Sequence, residues 1–404
     1  HMFVTHLPGE ERIAARPQRQ SSLFEMLRAK GAVHGEAAGW ERPKWFSPNG
    51  EAELPGFRRS NAFSVVAREC AVVRERAGII DLSGFAKFDV TGRDASAFLG
   101  RMLANRVPAR IGEIRLSHLL NAKGRIESEF TVTPLSGDHF YLLSSLGAEG
   151  RDFDFLQQGV REGEDVEIQN VTEAVGNIVL AGPQARSILA PLTDADLENA
   201  SFPWLTGREI TVAGIQTRAL RVNYVGELGW ELHAPMAFLP ALYDAVWASG
   251  VQYGISDVGL YAVNSLRMEK AYRGWGSELT NEVNMVKADM MRFADLQKGN
   301  FVGRDATLAA QSAPSGARLV YFEIAARDAD ARGGEAVFSG DRIAGVVTSG
   351  SYAHWSGRSL AFAYIDAEIA RSGSDFKVEI LGEKLPASIL EQPVHDPLGA
   401  RLRG

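Results

Sequence analysis

The sequence predicts an α+β protein, with helices and strands mixed up to about residue 310 and an almost purely β remainder. Three observations carry this. Apolar residues recur at helical spacing in "AFSVVARECAVVRERA" and "FLPALYDAVWASG", whereas "FTVTPLSGDHFYLLSS" alternates with period two around a Gly-Asp turn. The Ser/Pro/Gly stretch "LAAQSAPSGAR" reads as a linker into 318–404. Turn signals at Gly333-Gly334, Gly340-Asp341 and Gly382-Glu383 punctuate strands in that last region.

In chain order, residues 1–60 hold Pro and large rings in "GWERPKWFSPNGEAELPGF", without the period of a helix or strand. They read as an irregular arm packed on the body. Residues 61–310 form that body. It opens with a helix up to Ala77, C-capped by Gly78, followed by a short strand. "AKFDVTG" is a strand and "RDASAFLGRMLANRV" a helix with Asp94 near its start. Strands then run to about Ile168, and "NIVLAGPQARSILAPL" gives strand, turn, helix. "REITVAGIQTRALRVNYVGELGWELHAP" gives three strands with turns at Ala213-Gly214 and Gly226-Glu227. A helix ended by Gly250 follows, then another N-capped by Ser256 or Asp257. Residues 318–404 form a small β domain.

Several classes of function are set aside by composition. A formal charge of -7 over 404 residues provides no basic footprint for nucleic acid or an anionic membrane. One cysteine, Cys70, permits neither an intramolecular disulfide nor a Cys-based zinc site. No apolar run is long enough to span a bilayer. The start "HMFVTHLPGEERIAARP" has no leader-peptide core, His1 reads as a cloning remnant, and the expected compartment is cytoplasmic. GxGxxG, Walker A and GxSxG motifs are missing, and none of the eight histidines is paired at i, i+4. Each histidine is therefore expected on the surface or satisfied in the core, and no metal is expected.

Two stretches carry chemistry. "LNAKGRIESEF" places Glu127 and Glu129 just past a Lys-Gly-Arg turn, and strand alternation would aim both at one face. That face is either simply solvated or the border of a site. "NYVGELGWELH" gathers Glu227 and Glu231 with Tyr224 and Trp230 around Gly226 and Gly229. A strand carboxylate accepts two parallel N–H bonds from a planar donor pair, such as a 2-aminopyrimidinone edge, and an adjacent aromatic covers the ring. The alternative is a hairpin with a solvated glutamate.

With "GAVHGEAAGWERPKWF", "GIIDLSGFAKFDVTG", "LLNAKGRIESEFTV", "YVGELGWELH", "NSLRMEKAYRGWGSEL", "FVGRDA" and "HDPLGARLR" in this order, the chain resembles the aminomethyltransferase (glycine-cleavage T-protein) family. It is most similar to the folate-binding C-terminal half of dimethylglycine and sarcosine dehydrogenases. The resemblance implies three subdomains around a central channel, a C-terminal β-barrel-like domain, and tetrahydrofolate as cofactor. It implies Glu129 as the acid/base of one-carbon transfer, with Glu127 its neighbour or substitute, and a Glu where T-proteins have Asp. It also implies Glu231 as the pterin-edge carboxylate and Tyr224 as a pocket residue. An apolar residue at Val263 agrees with the dehydrogenase branch, while Met285 and Arg292 depart from the family pattern. The implied activity is capture of a one-carbon unit from a small, N-methylated substrate as methylene-tetrahydrofolate, with a flavoprotein dehydrogenase partner. Trp40, Trp45 and Phe46 are the expected docking groups for that partner or, alternatively, pack on the chain's own body. The other readings of function are a standalone demethylase yielding 5-methyltetrahydrofolate and a non-catalytic folate-binding protein.

Overall fold

The computed structural model describes residues 5–314, 316–372 and 375–404; His1 and Ser315 of the expected linker lie outside them. Two antiparallel-rich sheets and a closed barrel make up the architecture. The first sheet runs Arg115–Leu120, Ile126–Pro134, His139–Ser144, Ala86–Thr91, Glu167–Asn170. The second runs Gly207–Val212, Ile215–Leu220, Gly229–Pro235, Val175–Ala181, Gly78–Asp81, Ser256–Asp257, and only its last pair is parallel. The chain thus enters the second sheet at Gly78, leaves to build the first, and returns at Val175.

Helices Ala95–Met102 and Glu149–Gly159 cover one face of the first sheet, burying Phe88, Phe98, Phe130 and Leu142. Helices Ala185–Leu189 and Leu239–Gly250 do the same for the second, over Ile178, Trp230 and Leu232. The two remaining sheet faces meet through polar groups. Tyr141 reaches His233 at 3.1 Å and Arg218 reaches Asp89 at 3.0 Å. The barrel closes Ala317–Ile324, Arg358–Asp366, Arg342–Ala353, Ala336–Ser339, Phe376–Ile380 and Glu383–Leu390 into a ring, as the family resemblance implies.

Four expectations need correction. The N-terminal arm is not irregular: it contains a helix, Phe24–Ala29, and a hairpin, Ala32–Ala37 with Trp40–Phe46. Its second strand is mostly buried, so the two-residue alternation of a half-exposed strand never appears. Trp40 and Trp45 are 2% and 0% exposed, so their rings pack on the chain itself. Second, the helix before Gly78 stops at Glu75, and Gly78 begins a strand. A Cβ there would meet Val73 and Val258 at 2.7 Å, so close packing, not a left-handed turn, requires the glycine. Third, Ser256 and Asp257 form a strand rather than a cap. The next helix, Leu260–Glu269, starts after Gly259, whose N–H donates to Glu69 at 2.9 Å. The cap is supplied from 190 residues upstream, so no local signal announces it. Fourth, helix Arg304–Ser312 occupies the first half of the expected linker.

Buried ion pairs join these parts. Arg74 donates to Glu227 and Glu269, each at 2.8 Å, and Arg401 donates to Glu227 at 2.7 Å. Arg74, Glu227 and Glu269 are all 1% exposed or less, so each charge is stable only while its partners are present. Arg267 and Glu278, 3.1 Å apart, tie helix Leu260–Glu269 and its following loop to barrel residues Thr348 and Ser349.

Candidate active site

Hairpin register places His118 directly opposite Glu129. Its Nε2 lies 3.0 Å from Glu129 Oε2, and Oε1 makes no hydrogen bond among the described residues. The Glu129 side chain is 20% exposed while that of His118 is fully buried. Glu127 behaves differently. Leu119 pairs with Ser128 and Leu120 with Ile126, so Glu127 is the extra residue of a β-bulge. The bulge breaks the alternation that would aim Glu127 and Glu129 alike. Asn121 donates to Glu127 Oε1 at 2.7 Å, Arg151 stands 3.6 Å from Oε2, and its carbonyl accepts from Trp275 at 3.1 Å. Glu127 is thereby engaged on both oxygens by side chains of the protein.

On the second sheet, Glu231 and His233 lie two residues apart on one strand, with His233 Nε2 3.2 Å from Glu231 Oε2. Tyr141, from the first sheet, meets His233 Nδ1 at 3.1 Å, its ring edge-on at 5.5 Å. Burial, first of all, holds the His233 imidazole below its usual range, against the pull of Glu231. Burial likewise pushes the Lys87 ammonium down to about 7, although Asp81 and Glu231 attract it. Its Nζ donates to the carbonyls of Ser83 and Phe85, both at 2.8 Å. Glu231 Oε1 is left without a hydrogen bond among the described residues.

Tyr224 precedes the second-sheet strand in a loop of its own. Its ring stacks on Tyr272 at 5.6 Å and its hydroxyl donates to the Arg273 carbonyl at 2.5 Å. Burial raises this phenol above its ordinary range; Arg267 opposes the shift, and the negative charges of Glu129 and Glu278 reinforce it. The Glu129 contribution places the two side chains within electrostatic reach. Gly226, at φ +82°, supplies the left-handed turn that carries the chain from Tyr224 back to the strand.

Two expected ligands are corrected. Both Glu227 oxygens are taken, by Arg74 and His395 on one side and Arg401 on the other, and the residue is 1% exposed. It anchors the loop instead of meeting a ligand. Trp230 points to the opposite face from Glu231 and is fully buried edge-on to Phe202 at 6.1 Å, so it covers no ring in the site. Among the departures from the family pattern, Met285 is buried beside Leu120 and Ile126, and Arg292 stacks over Phe293 at 4.8 Å. Val263, on helix Leu260–Glu269, packs into the core.

The sequence reading missed His118 and His233. His233 had a signal, since 233 shares a strand face with 231; counting back from the 121–125 turn pairs 118 with 128, and only the bulge at Glu127 moves His118 opposite Glu129. A cleft of about 1210 Å³ lined by Arg101, Phe155, Gln158 and Lys298 lies on the helix-covered side of the first sheet. Neither Glu129 nor Glu231 lines it, and two of its cations, Arg101 and Lys298, are already bonded to Glu164 and backbone carbonyls. No group of three or more His, Cys, Asp or Glu able to hold a metal occurs among the described residues. None of their helices is long and apolar enough to cross a membrane.

Residues 23–298 match the model of the GCVT N-terminal domain, and residues 318–396 that of the glycine cleavage T-protein C-terminal barrel domain. The chain belongs to the glycine-cleavage T-protein family, whose members are tetrahydrofolate-dependent transferases. It is 39% identical to mitochondrial dimethylglycine dehydrogenase of Mus musculus, over 99% of this chain and 47% of that protein. It is 30% identical to the formaldehyde-forming 4-methylaminobutanoate oxidase of Paenarthrobacter nicotinovorans, over 100% of this chain and 49% of that protein. The chain thus spans about half the length of these curated relatives. The aminomethyltransferase T structure from Bartonella henselae superposes with a TM-score of 0.81, at 25% identity, covering 94% of this chain and 99% of that one.

Proposed function

We propose that this chain accepts a one-carbon unit from an N-methylated compound onto tetrahydrofolate, with Glu129 as acid/base and Glu231 as the pterin-edge ligand. The observation that carries the reading is that Glu129 and Glu231 each keep one carboxylate oxygen unbonded while the other is held by a histidine. A free Oε1 at Glu231 matches the N–H donors of a 2-aminopyrimidinone edge. The Tyr224 phenol feels the negative charge of Glu129, which supports its expected place in the same pocket. When bound, tetrahydrofolate supplies the nitrogens that receive the one-carbon unit, giving methylene-tetrahydrofolate. Glu129 takes the proton that such bond formation releases and returns it to the departing amine. The walls orient the reacting groups and so replace a bimolecular encounter.

The N-methyl compound must first lose two electrons, and no dinucleotide fingerprint occurs in this sequence. A flavoprotein dehydrogenase, as another part of the same protein or as a partner, is the chemical class that supplies that oxidation. The likeness to two amine-oxidising relatives supports it. The test is product analysis with this chain, tetrahydrofolate and a panel of N-methyl amines, with and without an amine-oxidising flavoprotein. Methylene-tetrahydrofolate formed only with the flavoprotein supports the reading. A 5-methyl product from the chain alone would establish the standalone demethylase in its place.

A further inference from the structure

We infer that His118 is the positioning residue that fixes which oxygen of Glu129 does the chemistry. The inference rests on Glu129 being the acid/base proposed above, and it begins from an imbalance in the hydrogen bonding of His118. The ring is fully buried, 6.2 Å from Phe293, and flanked in sequence by buried Leu119 and Leu120. Its Nε2 lies 3.0 Å from Glu129 Oε2, and its Nδ1 is a buried atom with no hydrogen-bond partner among the described residues.

An ionised carboxylate only accepts, so Nε2 must be the donor. The other nitrogen then faces a choice. As an N–H it would be a buried donor with nothing to receive it, the rarer and costlier kind of orphan. As a bare lone pair it is tolerated. The geometry therefore selects the tautomer with hydrogen on Nε2, and the ring becomes a one-way donor to Oε2.

That donation has a consequence for the glutamate. Glu carries one methylene more than Asp, and holding a free Glu side chain still costs rotamer entropy. A packed imidazole opposite it removes that freedom before any ligand arrives. Oε2 is committed to the ring, and Oε1 is the atom left to exchange a proton. The step at this residue is confined to N–H and O–H bonds. The proton leaves the ligand nitrogen for Oε1 as that nitrogen gains its bond to carbon, and passes from Oε1 to the amine nitrogen as the amine departs. His118 itself neither gains nor loses a proton.

Nitrogen-15 NMR of His118 in the ligand-free protein reads the tautomer directly. The Nε2–H signature, perturbed in Glu129→Gln, is expected; an Nδ1–H tautomer or an imidazolium at neutral pH would overturn the assignment. Two variants then separate positioning from folding. His118→Leu keeps apolar bulk and removes the donor, and His118→Gln restores an N–H of similar reach. Transfer from the N,N-dimethylmethyleneiminium ion to tetrahydrofolate should fall about tenfold or more in kcat for the Leu variant and recover to within roughly threefold for Gln, with KM little changed. Calorimetric affinity for tetrahydrofolate and the melting temperature should stay near wild type in both. A Leu variant that keeps full kcat, or one whose loss lies in KM or in folding and is not rescued by Gln, refutes the role. Wild type that fails to bind tetrahydrofolate would overturn the proposed function, while the NMR arm still decides the His118 bond.

Discussion

Glu129 and Glu231 are held in the same way but backed differently. Each gives one oxygen to a histidine, at 3.0 Å and 3.2 Å, and each keeps the other oxygen free. Behind His233 stands Tyr141, which engages the far ring nitrogen and joins the two sheets. Behind His118 the far nitrogen has no partner among the described residues. A carboxylate that recognises a fixed donor pattern gains from a rigid chain of three groups. One that exchanges a proton needs its charge free to change, and a single contact to one oxygen suffices to aim it. The difference supports the proposed division, with recognition on the second sheet and chemistry on the first.

Glu231→Ala breaks the comparison most directly. It leaves the pterin amino edge unpaired and should weaken tetrahydrofolate binding by about 2–4 kcal/mol, measured by calorimetry. Equal affinities for wild type and variant would remove Glu231 from the ligand site. Glu129→Gln should show the converse pattern, with binding intact and transfer reduced roughly 100-fold. If Glu127→Gln turns out to be the damaging change, the bulge does not separate the two acids as described.

The smallest effect concerns pH. The His233 imidazole is held below its unfolded value, so its contribution to stability is present above about 6.5 and is lost as pH falls toward the folded value. Melting temperatures between pH 7.5 and 5 should therefore drop more steeply for wild type than for His233→Gln. Parallel curves would mean that the Tyr141–His233–Glu231 chain does not constrain the imidazole.

Much of this was legible in the residues. Period-two stretches and Gly-centred turns announced the C-terminal strands and the Glu129 hairpin, because those strands are bounded by short-range signals, while closure into a barrel was implied only by the family resemblance. "GELGWEL" pointed to Glu231 through its chemistry. Trp230 and Glu227, one and four positions away, looked equally suitable, since a sequence does not reveal which partner a buried side chain finds. Arg401, 174 residues downstream, claims Glu227, and Phe202 claims Trp230. The N-terminal hairpin escaped notice because its second strand is covered and contains Pro43 next to a bulge at Lys44, which erases alternation. Glu69, capping a helix 190 residues away, left no local trace.

The clasp around Arg74 also bears on how the protein assembles. Arg74 and Arg401 are the two cations that face Glu227 and Glu269, and His395 reaches the same Glu227 at 3.1 Å. Until residues 395–401 arrive, two buried carboxylates share one guanidinium, and the loop carrying Tyr224 lacks its outer fastening. Closing that contact joins segments more than 300 residues apart in the chain. A chain cut before residue 395 would therefore leave Glu227 with Arg74 but without His395 and Arg401, and the loop that carries Tyr224 without its outer tie.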